Sequence, residues 1–472
     1  MKKTLSLLLL LALIIIPARA ADVQDVKPTK NVILFISDGT SLATVSTARW
    51  LQWYSHPDKP NLNIDPYICG TVRTHSSDAP IGDSAPTTSC YVSGQPSQTG
   101  FVSTYPVHRG NDDIYPTDPN RAYQPTMTIL EAVKMFKGGS TGLVFTCEFP
   151  HATPADCSAH SYNRGKYEWI ASQMVHNNLD VVIGGGISIL TNNLEEHLKE
   201  NGYSVYKNDL KGMRADTNSK MWALYADREM DYDLDRNPDE QPSIEEMTKK
   251  AIEKLSKNDK GFFLMVEGGK IDWACHGNDP ATVFEEVVDM DNAIKVAYEF
   301  YKKHPKETLI VVTADHETGG LGLGTGKYEL QLKALAKQKQ SQDILSRSIT
   351  DLRKMRKVIN WPEMKEFLAE KMGFWKELPV SWEQEKMLRD AYEESFVNKH
   401  VVFEESLYAK TEPLAVAAKK VMSQIAMVGW TSGGHTAGYV PVFAVGAGSK
   451  LFVGKMDNTE IPKRIAKAGG YK

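Results

Sequence analysis

Short apolar runs recur along the chain, and most break off at a polar residue followed by Gly or another loop signal. Asn31-Val-Ile-Leu-Phe-Ile-Ser37 ends at Asp38-Gly39, and Gly142-Leu-Val-Phe-Thr146 ends before Glu148 and His151. Asp180-Val-Val-Ile183 runs into Gly184-Gly185-Gly186, and Gly261-Phe-Phe-Leu-Met-Val266 into Glu267-Gly268-Gly269. Thr308-Leu-Ile-Val-Val-Thr313 reaches Asp315-His316, and Tyr439-Val-Pro-Val-Phe-Ala-Val445 reaches Gly446. Unbroken Val, Ile, Leu and Phe content without alternation suits strands buried on both faces, as in a parallel sheet covered by helices. Helical signals lie between the runs. Ser243-Ile-Glu-Glu246 has the capping-box pattern, and Phe284, Val287, Val288, Ile294, Ala297 and Tyr301 follow helical spacing. The pattern predicts a three-layer α/β fold, with a central, mostly parallel sheet flanked by helices. Right-handed crossovers would bring the strands' carboxyl ends to one edge, where open α/β sheets build their sites. Asp38, Glu267, Asp315 and His316 all stand at such ends.

From about 325 to 428 the character changes to Lys, Glu and Gln-rich sequence with scattered Trp and Leu. This predicts a mostly helical, surface-lying insertion between the fifth and sixth strand candidates. With no internal repeat and no low-complexity linker, residues 21–472 are expected to form one domain. Residues 1–20 are set apart: Lys2 and Lys3, an apolar run from Leu5 to Ile16, then Ala18-Arg19-Ala20 fit a secretory signal cleaved near Ala20. That run is short for a membrane span, and no later segment is long and apolar enough, so an exported protein, periplasmic or secreted, is expected.

Composition narrows the partners. The net charge is −4, and without Lys2, Lys3 and Arg19 it is 52 basic residues against 59 acidic, or −7. A polymer of phosphates is a poor partner for such a chain. The five cysteines, Cys69, Cys90, Cys147, Cys157 and Cys275, form no CxxC or zinc-finger spacing, and their pairing is not legible.

Asp272-Trp-Ala-Cys-His276 places a carboxylate and an imidazole at i,i+4 on one side of a helical turn, an arrangement that serves Zn²⁺ and equally a surface ion pair. Asp315-His316 and Gly434-His435 read singly as a local hydrogen-bonded pair and a loop histidine. Together with Asp38 and Glu267, four carboxylates and three histidines converge on one edge. Imidazoles suit Zn²⁺, and all-oxygen corners suit Mg²⁺. Ser84, in Gly82-Asp-Ser-Ala-Pro-Thr-Thr-Ser-Cys-Tyr-Val-Ser-Gly94, reads either as a plain helix cap or as a nucleophile favoured by the helix dipole. No Gly-x-Ser-x-Gly elbow is present, so metal activation fits better than a Ser-His-Asp triad. Gly184–Gly186 lacks a Walker lysine and reads as a tight turn.

Five segments in order resemble the alkaline phosphatase family: Asp83-Ser84-Ala85, His151-Ala-Thr153-Pro-Ala with Arg164, Glu267-Gly-Gly-Lys-Ile-Asp272 with His276, Thr313-Ala-Asp315-His316, and Gly434-His435-Thr436. The resemblance implies a hydrolase of phosphate monoesters that uses two zinc ions and one magnesium. Ser84 would be the nucleophile that becomes phosphoserine. Asp272, His276 and His435 would hold one zinc; Asp38, Asp315 and His316 would hold the second, which also meets Ser84. Asp38, Thr153 and Glu267 would hold the magnesium. Arg164 would fork onto the phosphate, oriented by Asp83. His151 and Trp273 vary within the family and neighbour the phosphate or the third metal, whose identity they leave open; an imidazole there softens the site toward Zn²⁺ or Co²⁺. The family is usually dimeric, which makes a homodimer possible. A related two-metal phosphodiesterase or sulfatase is the nearest alternative, and a non-catalytic exported binding protein that uses its insertion to hold a partner is the alternative of another class.

Overall fold

A computed structural model describes residues 28–471 apart from residues 327, 356 and 357; the expected signal sequence lies outside the described residues. Ten strands form the main sheet: β1 (Asn31–Ile36), β2 (Ile68–Arg73), β3 (Ser140–Glu148), β4 (Val181–Gly185), β5 (Ser204–Lys207), β6 (Met221–Leu224), β7 (Phe262–Glu267), β8 (Thr308–Thr313), β9 (Val440–Gly446) and β10 (Gly454–Asp457). Their order is β10-β2-β9-β8-β1-β7-β3-β4-β6-β5. Every pairing is parallel except the two made by β9.

The unbroken apolar runs are explained by two cores, one on each face. Along β1, Ile33 and Phe35 enter one core while Val32, Leu34 and Ile36 enter the other, because successive side chains of a strand point to opposite faces. Helices Leu42–Ser55, Ile244–Leu255 and Pro280–Lys303 cover the first face. Helices Ser84–Ser93, Tyr167–His176 and Ile461–Gly469 cover the second.

The described residues of the segment 325–428 include the helices Gln342–Met355, Trp361–Met372, Trp382–Tyr392 and Pro413–Ala426. It does not merely lie on the surface. Leu332, Leu345, Met364 and Leu388 are fully buried in the same core as Ile33 and Phe35, so its scattered leucines are the inner stripe of amphipathic helices.

Strand order decides what meets at the functional edge. β8, β1, β7 and β3 are consecutive neighbours, with Ile36 level with both Thr313 and Glu267, and Glu267 level with Phe145. Segments leaving adjacent parallel strands start about 4.8 Å apart, so their first side chains share one small volume.

Candidate active site

Asp38 follows β1, Glu267 is the last residue of β7, and Asp315-His316 follows β8; all are fully buried. The helix Lys270–His276 leaves β7 after two glycines and turns Asp272 and His276 inward, one turn apart. His435 arrives from the other direction. It precedes β9, whose antiparallel course puts that strand's amino end on the same edge, and the pairing of His435-Thr436 with Glu317-Thr318 fixes it beside His316.

His276 and His435 face one another with Nε2 atoms 3.0 Å apart. Each Nδ1 lies 2.7 Å from a backbone carbonyl, Gly433 for His276 and Gly82 for His435, so each Nδ1 carries a proton and each Nε2 is left to face the other. Asp272 adds carboxylate oxygens 3.4 Å and 3.7 Å from those nitrogens. Two imidazole nitrogens and a carboxylate converging on one centre, with each ring oriented from behind by a backbone carbonyl, is the preorganisation expected of metal ligands.

The second group has the same logic. Thr318 has a single hydroxyl proton, donated to Asp272 Oδ1, so its oxygen accepts from His316 Nδ1 at 3.2 Å. The His316 Nε2 lone pair is thereby aimed at Asp315 Oδ2 (3.2 Å), Asp38 Oδ1 (3.5 Å) and Ser84 Oγ (3.1 Å). Ser84 is not the cap of its helix: Asp83 holds that position without capping, and Ser84 is the first helical residue. Its hydroxyl is thus free to face the histidine at the positive end of the dipole.

A third group contains Glu267, His151 and Cys147, with Thr153 Oγ1 3.5 Å from Asp38 Oδ2. In each of the three groups the potential ligand atoms lie within 4.8 Å of one another. Cys147, noted in the sequence only as a cysteine, stands here because β3 ends one strand away from Glu267. All five cysteines are unpaired thiols.

Electrostatics follow from packing so many acids together. Burial, then Asp315, Asp272 and Glu267, pushes Asp38 well above the carboxylate range. Burial likewise pushes Glu267 up to about 8 and Asp315 up to about 6. Asp272 differs: burial opposes its charge, but His276, His435 and His316 hold it low. Asp38 Oδ1, Asp272 Oδ2, Asp315 Oδ2 and both Glu267 oxygens are buried without a hydrogen-bond partner. Buried acceptors are rarely left so, and this donor set fits metal ions.

Beside these groups stands Arg164. Arg164 donates through Nη1 to Asp83 and through Nη2 to His151 Nε2 at 3.1 Å. Burial, then Arg164, pushes His151 down to about 3, so it is neutral. These residues and Trp273 line one cavity of about 770 Å³.

Every site residue expected from the sequence therefore lies at one edge of the sheet. Thr318, Cys147 and Tyr408, whose ring stacks on Trp273 at 4.3 Å, belong to no motif. Only proximity in the fold reveals them.

A family model described as alkaline phosphatase matches residues 29–471. The chain belongs to the alkaline phosphatase family. Alkaline phosphatase 3 of Bacillus subtilis is 34% identical over 94% of this chain and 89% of its own length. Among solved structures, the cold-active alkaline phosphatase of a psychrophilic Shewanella species superposes with a TM-score of 0.79 at 29% identity, over 93% of this chain and 99% of that one. A TAB5 alkaline phosphatase mutant with a histidine replaced by aspartate and magnesium bound in its M3 site matches with a TM-score of 0.64 at 25% identity, over 95% and 99% of the two chains. Membership makes this chain an enzyme of phosphate-monoester hydrolysis, and a metal-dependent one.

Proposed function

We propose that the chain is an exported phosphomonoesterase that works through a phosphoserine on Ser84, with two zinc ions and one magnesium ion. The observation that carries this reading is the 3.1 Å approach of Ser84 Oγ to His316 Nε2, whose lone pair also faces Asp38 and Asp315. Asp272, His276 and His435 would hold one zinc, and Asp38, Asp315 and His316 the other. Such a pair, when bound, stabilises the attacking and leaving oxygens of an in-line displacement.

The chain's own residues supply the rest. Ser84 attacks phosphorus from the first turn of its helix, where the dipole favours the developing alkoxide. Arg164, steadied by Asp83, offers a planar fork that matches two phosphate oxygens. The alcohol leaves on the side of His276 and His435, and water entering from that side then cleaves the phosphoserine. Asp38, Thr153 and Glu267 would hold the magnesium behind this centre. A TAB5 alkaline phosphatase mutant in which a histidine is replaced by aspartate has magnesium bound in its M3 site, and in this chain His151 stands beside Glu267 in the third group. His151→Asp is therefore the variant for asking whether this imidazole decides between Mg²⁺ and Zn²⁺ there.

The test combines elemental analysis with turnover. The purified protein should carry about two zinc ions, lose aryl phosphate hydrolysis to a chelator and regain it with zinc and magnesium. Acid quenching during turnover should trap phosphate on Ser84, and Ser84→Ala should abolish both label and activity. Retained activity in Ser84→Ala, or after metal stripping, would sink the reading. Export is tested by the amino terminus of the mature protein, expected at Ala21; no helix among the described residues is long and apolar enough to cross a membrane.

A further inference from the structure

Residues 404–411 form a small hairpin, Glu404-Glu405 against Lys410-Thr411, closed by a turn in which Ser406 N donates to Ala409 O at 2.9 Å. Its base is anchored. Glu404 meets Lys419 at 3.0 Å, and the following Glu412, fully buried, caps the helix Pro413–Ala426 and pairs with Arg353 at 2.6 Å. The tip is thus held over the mouth of the cavity that contains Arg164.

Tyr408 occupies that tip. Its ring stacks on Trp273, 4.3 Å between centroids and 8° from parallel, and stands edge-on to His276 at 5.3 Å and to His151 at 5.9 Å. Tyr408 Oη and Trp273 Nε1 are both buried, and neither has a hydrogen-bond partner. Two orphaned donors on one stacked pair, lining the same cavity as Arg164, call for an acceptor from outside the protein. A phosphate dianion is the acceptor that suits Arg164 as well.

We propose that Tyr408 contacts the substrate: its hydroxyl donates to a phosphate oxygen of the bound monoester, and its ring, backed by Trp273, forms the wall against which the alcohol group lies. A flat aromatic wall favours esters of planar, aromatic alcohols over short alkyl ones. This rests on the phosphomonoesterase reading and gives the charged segment 325–428 a direct part in choosing substrates.

The experiment uses the metal-replete enzyme and its Tyr408→Phe and Tyr408→Leu variants, with inorganic phosphate as the binding probe and phenyl and ethyl phosphate as substrates. Tyr408→Phe keeps the stack and removes only the hydroxyl. It should weaken phosphate binding and raise KM about tenfold on both esters, with kcat little changed, as for loss of a hydrogen bond to a charged group. Tyr408→Leu should in addition lower the phenyl-to-ethyl ratio of kcat/KM. Unchanged phosphate affinity in Tyr408→Phe overturns the hydroxyl contact, and an unchanged ratio in Tyr408→Leu overturns the wall. Wild-type protein that turns over neither ester would instead overturn the phosphomonoesterase reading itself.

Discussion

Gly39 and Asp272 approach so closely that a β-carbon on Gly39 would lie 2.8 Å from Asp272 Oδ1 and 2.9 Å from its Cα. Gly39 has φ +69°, a conformation that favours glycine, and its carbonyl accepts from Thr318 N at 3.1 Å. The residue after Asp38 is thus the spacer that lets the β1 loop and the Asp272 helix touch.

Gly39→Ala should therefore cost about 2–4 kcal/mol of stability, combining backbone strain with a contact against backbone that cannot rotate away. Thermal unfolding with and without added metal checks this. The variant should also bind less metal, because Asp272 must shift, and a wild-type melting temperature would refute the argument.

Removing a member of the facing histidine pair should separate metal binding from folding. His435→Ala takes away one of three donors crowded on one centre while leaving the core untouched, so the metal-free variant should unfold close to metal-free wild type. It should hold about one metal ion fewer and lose about a hundredfold or more in kcat. Elemental analysis beside steady-state kinetics decides.

Thr318 touches both histidine-carboxylate groups without belonging to either. Thr318→Val removes the donor to Asp272 and the acceptor that sets the His316 tautomer. Metal affinity measured by chelator competition should fall about tenfold to hundredfold, as for other partners of metal ligands. Thr318→Ser, which keeps the hydroxyl, should restore most of it.

Arg164→Lys should weaken inorganic phosphate as a competitive inhibitor by about tenfold or more, because an ammonium is a point charge and cannot fork onto two oxygens. The melting temperature should change little, since the cavity stays open to solvent.

Away from the site, Asp289 supplies a pH test. It is buried beside Asp233, with Arg236 and Glu245 also facing it, and burial is the main cause that pushes it up to about 7 from the usual 3.8. The folded protein therefore binds this proton more tightly than the unfolded chain. Stability falls as pH rises from about 4 to about 7 and stays lower above, by at most about 4 kcal/mol. Asp289→Asn should raise the melting temperature at pH 9 and change it little at pH 4; an equal shift at both would exclude titration as the cause.

Six of the ten sheet strands were legible because each is an unbroken apolar run buried on both faces. β2, β5, β6 and β10 were not. Ile68-Cys-Gly-Thr-Val-Arg73 is mostly half-exposed near the sheet's edge, and the other three have only four residues each, so none carries a run long enough to stand out. The reversed course of β9 was equally hidden, since periodicity reports burial and not direction. That reversal is what delivers His435 from the amino end of its strand to an edge built from the carboxyl ends of β1, β7 and β8.

By itself the sequence determined the fold class and the family and singled out the candidate site residues, because these depend on residue type, order and local spacing. Only the tertiary structure decided which nitrogen of each histidine bears a proton: Gly433 and Gly82 reach His276 and His435 from 157 and 353 positions away, and Thr318, though only two residues from His316, is set as an acceptor by its own donation to Asp272. The same holds for Tyr408. A lone tyrosine in a charged segment has no periodicity and no motif, and its meaning comes from a stack on a residue 135 positions away, which packing creates and local sequence does not encode.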